Sequence, residues 1–242
     1  MNKDDCDILC VQEHWLHDFE CENFFETNFP GVKYHYKCAE SDISFQRTVN
    51  KHGVAILWKQ ELNPYITKLQ DGNDRIIGIK LQNKQNQYCI INVYGPTQGK
   101  SGASLEINNT LDILHEIIEK YENEGDIVVA GDLNMSLVRF KTADRFLQRF
   151  VIEHKLTVPG RIPRASTFTS RNAANCSQID YVFSNNSVNV SNFKIHTFNP
   201  INTSTHTLIE ARLTWKHTAG RLRRKPLKWK CPRIKWNKAD AD

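Results

Sequence analysis

Short apolar runs recur along all but the last part of the 242-residue chain: Ile8 to Val11, Val54 to Trp58, Ile76 to Leu81, Tyr88 to Tyr94, Ile127 to Ala130, Ile179 to Phe183, Phe193 to Phe198 and Leu208 to Leu213. Each is too short for a typical globular helix, rich in β-branched or aromatic residues, and punctuated by Gly, Asn, Asp or Pro, so each predicts a strand. Helical periodicity is clear only twice. Between Leu105 and Tyr121, residues Leu111, Leu114, Ile117, Ile118 and Tyr121 fall on one face, with Glu116, Glu119 and Lys120 off it, and Gly125 suits the stop. From about Lys141 to Lys155, Ala143, Phe146, Leu147 and Phe150 form a second inward stripe. Few helices among many strands predict an α/β fold of two packed mixed β-sheets with helices on their outer faces. No internal repeat is present.

The apolar content of 40% is enough for one sizeable core, which assigns residues 1–215 to a single domain. No run of about 18 apolar residues marks a membrane span, and the N-terminal MNKDD lacks a secretory apolar stretch. The cysteines, at 6, 10, 21, 38, 89, 176 and 231, are odd in number and lack zinc-ribbon spacing, which reads as reduced thiols. The expectation is a nuclear or cytoplasmic protein that is not secreted and does not contact a membrane. Charge is unevenly spread. Residues 216–242 carry ten Lys and Arg against Asp240 and Asp242, a net of +8, which leaves −3 for residues 1–215. The composition from Lys216 onward, with scattered Trp229 and Trp236 and no helical or strand period, reads as a basic tail or linker, either solvated or in contact with nucleic-acid phosphates.

Several strand ends carry polar residues that their apolar neighbours do not explain. Glu13 follows the first run, Tyr94 precedes a Gly-Pro turn, and VVAGDLN ends on Asp132 and Asn134. Strand alternation puts those two on one face and Leu133 in the core. Asp180 lies between Ile179 and Tyr181, and His206 stands at the entrance to the last strand. Each has an ordinary reading as an exposed acid, a turn residue or a structural histidine. As a set they hold what metal-assisted phosphodiester hydrolysis needs. Glu13 can begin a Mg²⁺ site, Asp132 and Asn134 can activate and orient water, and His206 held by Asp180 can meet developing charge.

The order Gln-Glu, Tyr-Gly-Pro, Gly-Asp-Leu-Asn, Ser-Thr-Phe, Ile-Asp-Tyr and Ser-x-His, from about Ile8 to Leu213, resembles the endonuclease/exonuclease/phosphatase superfamily. Within it the chain is most similar to the apurinic-type endonuclease domain of LINE-like (non-LTR) retrotransposons. The resemblance implies a four-layer α/β sandwich and a DNA-nicking hydrolase using Mg²⁺ (or Mn²⁺). It implies that Glu13 binds metal, Tyr94 lies near the scissile phosphate, Asp132 and Asn134 serve the attacking water, Thr167 contacts DNA, and Asp180 orients His206. A monomer once fused to a reverse transcriptase domain is also implied, since PRIKWNKAD resembles the basic link toward one. The segment TSRNAANCS, residues 169–177, is consistent with a hairpin probing a DNA groove or with an ordinary surface turn.

Two departures from the family pattern stand out. A first strand bearing an active-site asparagine is expected ahead of the glutamate and is missing here, where Glu13 lies near the start. Ser204-Thr205-His206 stands where the family has Ser-Asp-His, so one carboxylate is replaced by a hydroxyl. The chain is therefore read as a Mg²⁺-dependent DNA endonuclease, with two alternatives. One is a catalytically decayed remnant that binds nucleic acid nonspecifically; the other is a phosphatase or exonuclease of the same superfamily.

Overall fold

The structure, a computed structural model, describes residues 6–39, 52–99, 101–159, 165–186, 189–196 and 202–214. Phe198, Cys231 and the basic segment 216–242 lie outside these residues, as do the expectations that rest on them. In chain order the elements are β1 (Ile8–Gln12), α1 (Asp18–Asn28), β2 (Val32–Lys37), β3 (Val54–Lys59), a 3₁₀ turn (Gln60–Tyr65), β4 (Ile66–Lys68), β5 (Ile76–Gln82) and β6 (Gln87–Tyr94). There follow α2 (Ala103–Tyr121), β7 (Asp126–Asp132), α3 (Thr142–Glu153), β8 (Phe168–Thr169), β9 (Cys176–Ser177), β10 (Asp180–Ser184), β11 (Val190–Ile195) and β12 (Ile209–Leu213).

Strand order in the larger sheet is β10-β7-β6-β5-β4, and in the smaller β1-β3-β2. The larger sheet is mixed, because α2 crosses over between the parallel β6 and β7 while the other neighbours are antiparallel. The described pairings of the smaller sheet are antiparallel. β6 is buried along nearly all its length because it has cover on both faces, which is why from Tyr88 to Tyr94 it is apolar apart from the buried Asn92. β3 shows the layering residue by residue. Val54, Ile56 and Trp58 join the core between the sheets, whereas Ala55 and Leu57 pack outward with Cys21 and Phe25 of α1. On the far side, Ile107, Leu111, Leu114 and Ile118 of α2, with Leu147 and Phe150 of α3, cover the larger sheet. The result is the expected sandwich of helix, sheet, sheet and helices.

Two local expectations are corrected. α2 ends without help from Gly125: its last turn closes on Glu122 in right-handed helical geometry. Gly125 is instead required by close approach, since a Cβ there would lie 2.6 Å from the Gln87 carbonyl oxygen. Strand alternation does not carry through Asn134 either. β7 stops at Asp132, and Asn134 has φ +53°, so a left-handed residue rather than a pleat sets its direction. Leu133 does point into the core.

Candidate active site

Three neighbouring strands of the larger sheet end in register. Tyr94 of β6 pairs with Asp132 of β7, and Asp180 of β10 pairs with the same Asp132 from the other side. Directly paired residues project to one face, so the three side chains stand in a row. Tyr94 shares that face with Asn92, whose Nδ2 donates to the carbonyls of Val11 and Ala55 at 2.8 and 3.0 Å, across in the smaller sheet. The row therefore opens into the mouth between the two sheets. Glycine is demanded here sterically: a Cβ at Gly95 would lie 2.1 Å from the Leu133 carbonyl oxygen.

His206, just ahead of β12, closes the row. Its Nδ1 lies 3.0 Å from both carboxylate oxygens of Asp180, and its Nε2 faces Asp132 Oδ2 at 3.8 Å. The segment is fixed by the His206 amide donating to Ser204 Oγ and by Asn202 Nδ2 donating to the His206 carbonyl. Burial alone would depress the imidazole, but the hydrogen bond and charge of Asp180, with Asp132 and Glu13 behind it, outweigh that effect and raise its pKa. Asp132 is 5% exposed. Burial first, and the nearby Asp180 second, push its carboxyl up to about 8, against the opposing pull of His206 and the Asn134 amide.

Donor atoms of Asp132, Asp180 and His206 lie within 4.8 Å of one another. Glu13 stands outside that group, beside the Tyr94 phenol, yet its charge bears on both Asp132 and His206. Burial, then Glu13, raises the Tyr94 phenol. Glu13, Asp132 and Asp180 set three carboxylates against one imidazole, and there burial first and Asp180 second raise the Asp132 carboxyl. These residues fit a hard divalent cation taken through carboxylate oxygens.

Asn134 reaches the site mainly through its backbone. Its amide donates to Asp132 Oδ1 at 2.8 Å, while its Nδ2 donates to the Gly95 carbonyl. Thr167 is 0% exposed, so the expected contact with DNA through its side chain is not what the fold provides. Its hydroxyl accepts the amides of Ile179 and Asp180 at 3.0 and 3.1 Å and so anchors the start of β10. The 169–177 segment does form a hairpin between β8 and β9, and Thr169 donates to the Thr205 carbonyl beside His206.

Sequence reading missed a second layer around Tyr94. Arg75 lies over its ring at 5.2 Å, and Arg75 Nη2 sits 3.0 Å from His52 Nε2, whose Nδ1 is 3.0 Å from Asp74. It also missed Asp144 of α3, which ties down the turn after Asn134 by accepting from the Ser136 amide and from Arg139.

A family model described as the endonuclease/exonuclease/phosphatase family matches residues 1–206. No curated protein matches the sequence significantly. Among solved structures, the endonuclease domain of TRAS1, a telomere-specific non-LTR retrotransposon, aligns with TM-score 0.66 at 14% identity, over 86% of this chain and 85% of that one. The 3′ phosphatase NExo from Neisseria, bound to product DNA hairpin, aligns with TM-score 0.61 at 15% identity, over 86% and 89%. A mannosyl-6-phosphatase from Bacteroides thetaiotaomicron aligns with TM-score 0.59 at 15% identity, over 87% and 86%. At these identities the likeness is one of fold.

Proposed function

The chain belongs to the endonuclease/exonuclease/phosphatase family, and from that premise we propose that it is a Mg²⁺-dependent (or Mn²⁺-dependent) endonuclease of retrotransposon origin that nicks DNA by attack of water. The observation that carries this reading is the in-register row of Tyr94, Asp132 and Asp180, closed by His206. The motif order and the likeness in fold to the TRAS1 domain support the retroelement assignment.

Glu13 is the carboxylate that would help hold the metal, which when bound would supply Lewis-acid polarisation of a phosphoryl oxygen. Asp132 in its ionised form, oriented by the Asn134 amide, accepts a proton from the attacking water as its oxygen bonds to phosphorus and the bond to the leaving sugar oxygen breaks, that oxygen taking up a proton from solvent. His206, charged and aimed by Asp180, donates to the phosphoryl group as negative charge builds. Tyr94, whose phenol burial and Glu13 hold un-ionised, stands at the end of the row near the scissile phosphate. The hairpin that carries Arg171 is anchored next to His206 and is suited to touch the duplex beside the cut, while the basic residues 216–242 add phosphate neutralisation.

One observation favours a second reading. Thr205 brings no carboxylate to the site, and its carbonyl is occupied by Thr169. With one acid fewer, a remnant that binds DNA without cutting it is the alternative. A phosphatase or exonuclease reading draws on the fold of NExo.

Nicking of supercoiled plasmid distinguishes these readings. The endonuclease reading expects relaxed circles in Mg²⁺, none in EDTA, and none from Asp132→Ala. A folded wild-type chain that shifts plasmid in a gel but never nicks it would support the remnant. Release of phosphate from a 3′-phosphorylated oligonucleotide without nicking would support the phosphatase.

A further inference from the structure

A pair of thiols lies on the outer side of the smaller sheet, where α1 packs on β3. Alternation along β2 puts Tyr34, Tyr36 and, one residue past its end, Cys38 on the face that meets α1. Cys21 of α1 is buried in the same cluster. The two sulfurs lie 3.4 Å apart and are not bonded. They are in direct contact, and a disulfide needs them only to close to about 2.05 Å. The two cysteines are 17 residues apart along the chain, so it is the packing of α1 beside the end of β2 that brings them together.

The two thiols differ as an attacking and a resolving cysteine must. Cys21 is fully buried, whereas Cys38 is only partly covered and open to a reagent from solvent. With the Cys21 thiol as donor, their hydrogen bond brings the Cys38 thiol below its ordinary pKa, against burial and the charges of Asp18 and Glu20. The same bond, then burial, raises Cys21, so the reachable sulfur is the one that ionises first. Other cysteines behave otherwise. Burial pushes the Cys10 and Cys89 thiols up to about 12, and Cys6 Sγ donates to the Ile8 carbonyl. Cys38 also adjoins the turn that bears Glu13. The carbonyl of its neighbour Lys37 faces His14 Nε2 at 3.2 Å, while His14 Nδ1 accepts the Leu16 amide at 3.2 Å. That imidazole joins the end of β2 to the turn after β1, in which Glu13 and Trp15 both have φ +55°.

We propose that Cys21 and Cys38 are a reversible redox pair, oxidised by a low-molecular-weight disulfide such as oxidised glutathione, whose bond fastens α1 to the strand end beside the Glu13 turn. The Cys38 thiolate attacks one glutathione sulfur, forming a mixed disulfide and releasing the other glutathione as thiolate. Cys21 then loses its proton to solvent and attacks the Cys38 sulfur, so that the bond between the two cysteines forms and the second glutathione thiolate leaves. The chain gives up two electrons and two protons, and one oxidised glutathione takes them up as two thiols. The pair is independent of the hydrolase reading, because neither sulfur belongs to the catalytic row.

The test equilibrates the full folded chain in buffers of graded oxidised-to-reduced glutathione ratio, quenches with acid, unfolds, alkylates the free thiols and maps the peptides by mass spectrometry. A bond between Cys21 and Cys38 should form as the ratio rises, be reversed by dithiothreitol, and persist in Cys176→Ser. Cys21→Ser should stop at a glutathione adduct on Cys38, for want of the resolving thiol. The oxidised chain should melt about 5 °C or more above the reduced one, because the link closes a loop that the native contact already holds shut. A folded wild-type chain that keeps both thiols free in oxidised glutathione would overturn the proposal, whatever the variants do. So would a disulfide that pairs either cysteine elsewhere, or an oxidised chain that melts no higher than the reduced one.

Discussion

Asp144→Asn isolates the support beneath the catalytic turn. In the native chain Asp144 Oδ1 accepts from the Ser136 amide and Arg139 Nη2, at 2.9 and 2.8 Å, and from Gln98 Nε2 at 3.3 Å. Its Oδ2 accepts from the Lys141 amide and Arg139 Nε, at 2.9 and 2.8 Å. Burial works to raise this carboxyl, but Arg139 and the two amides outweigh it and bring the pKa down to about 2. Against an unfolded carboxyl near 3.9, that depression amounts to roughly 2–3 kcal/mol of preference for the charged form. An amide is the shape of the protonated acid, and its NH₂ must face donors on one side, so the substitution should cost about 2–4 kcal/mol. Because the folded pKa lies below the unfolded one, this stability is present above about pH 4 and is lost as pH falls toward 2. Urea denaturation at pH 7 and pH 3 reads both quantities. The expected result is a large loss at pH 7 that shrinks at pH 3. A loss under about 0.5 kcal/mol at pH 7, or a loss independent of pH, would refute the assignment of this carboxylate as the anchor of the turn.

Other expectations follow from single contacts. Thr167→Val should orphan the buried amides of Ile179 and Asp180 and cost about 2 kcal/mol or more in chemical denaturation, whereas Thr167→Ser should keep most of it. Gly95→Ala places a methyl group 2.1 Å from the Leu133 carbonyl oxygen and should lower stability by upwards of about 2 kcal/mol; a neutral result would mean the β6 and β7 exits are not in the contact described. In Asp180→Asn the imidazole keeps its burial and loses its principal partner. NMR titration should therefore move His206 from above about 6.5 to below it, and an unmoved titration would remove Asp180 from its positioning part.

Much of this arrangement was legible because the strands that bear it are buried on both sides. β6, broken only by Asn92, and β7 and β10 read as apolar runs, so Tyr94, Asp132 and Asp180 at their ends were conspicuous. What local patterning could not show was register, which sets those three side by side. α1 was missed because it buries only Cys21 and Phe25, leaving Phe19 exposed and no broad apolar stripe. β2 was missed for a different reason. Its alternation is present, but Tyr34 and Tyr36 supply the face that packs outward on α1, and the other face spends His35 and Lys37 on the carbonyls of Leu69, Gln70 and Asp71. Arg75, His52 and Asp74 come together only through tertiary structure, with His52 from another segment. Thr167 was placed in the right neighbourhood with the wrong part, since a motif gives position along the chain and not exposure.

The account turns on Asp132 as a buried acid whose ionisation awaits a cation. Carbon-detected NMR of its carboxyl across pH, with and without Mg²⁺, measures this most directly. Without metal it should titrate near 8, raised by burial and by Asp180, and Mg²⁺ should drive the titration down toward the ordinary carboxylate range. A metal-free Asp132 that titrates near 4, or one whose raised titration is untouched by saturating Mg²⁺, would contradict the claim that this row of side chains is built around a metal.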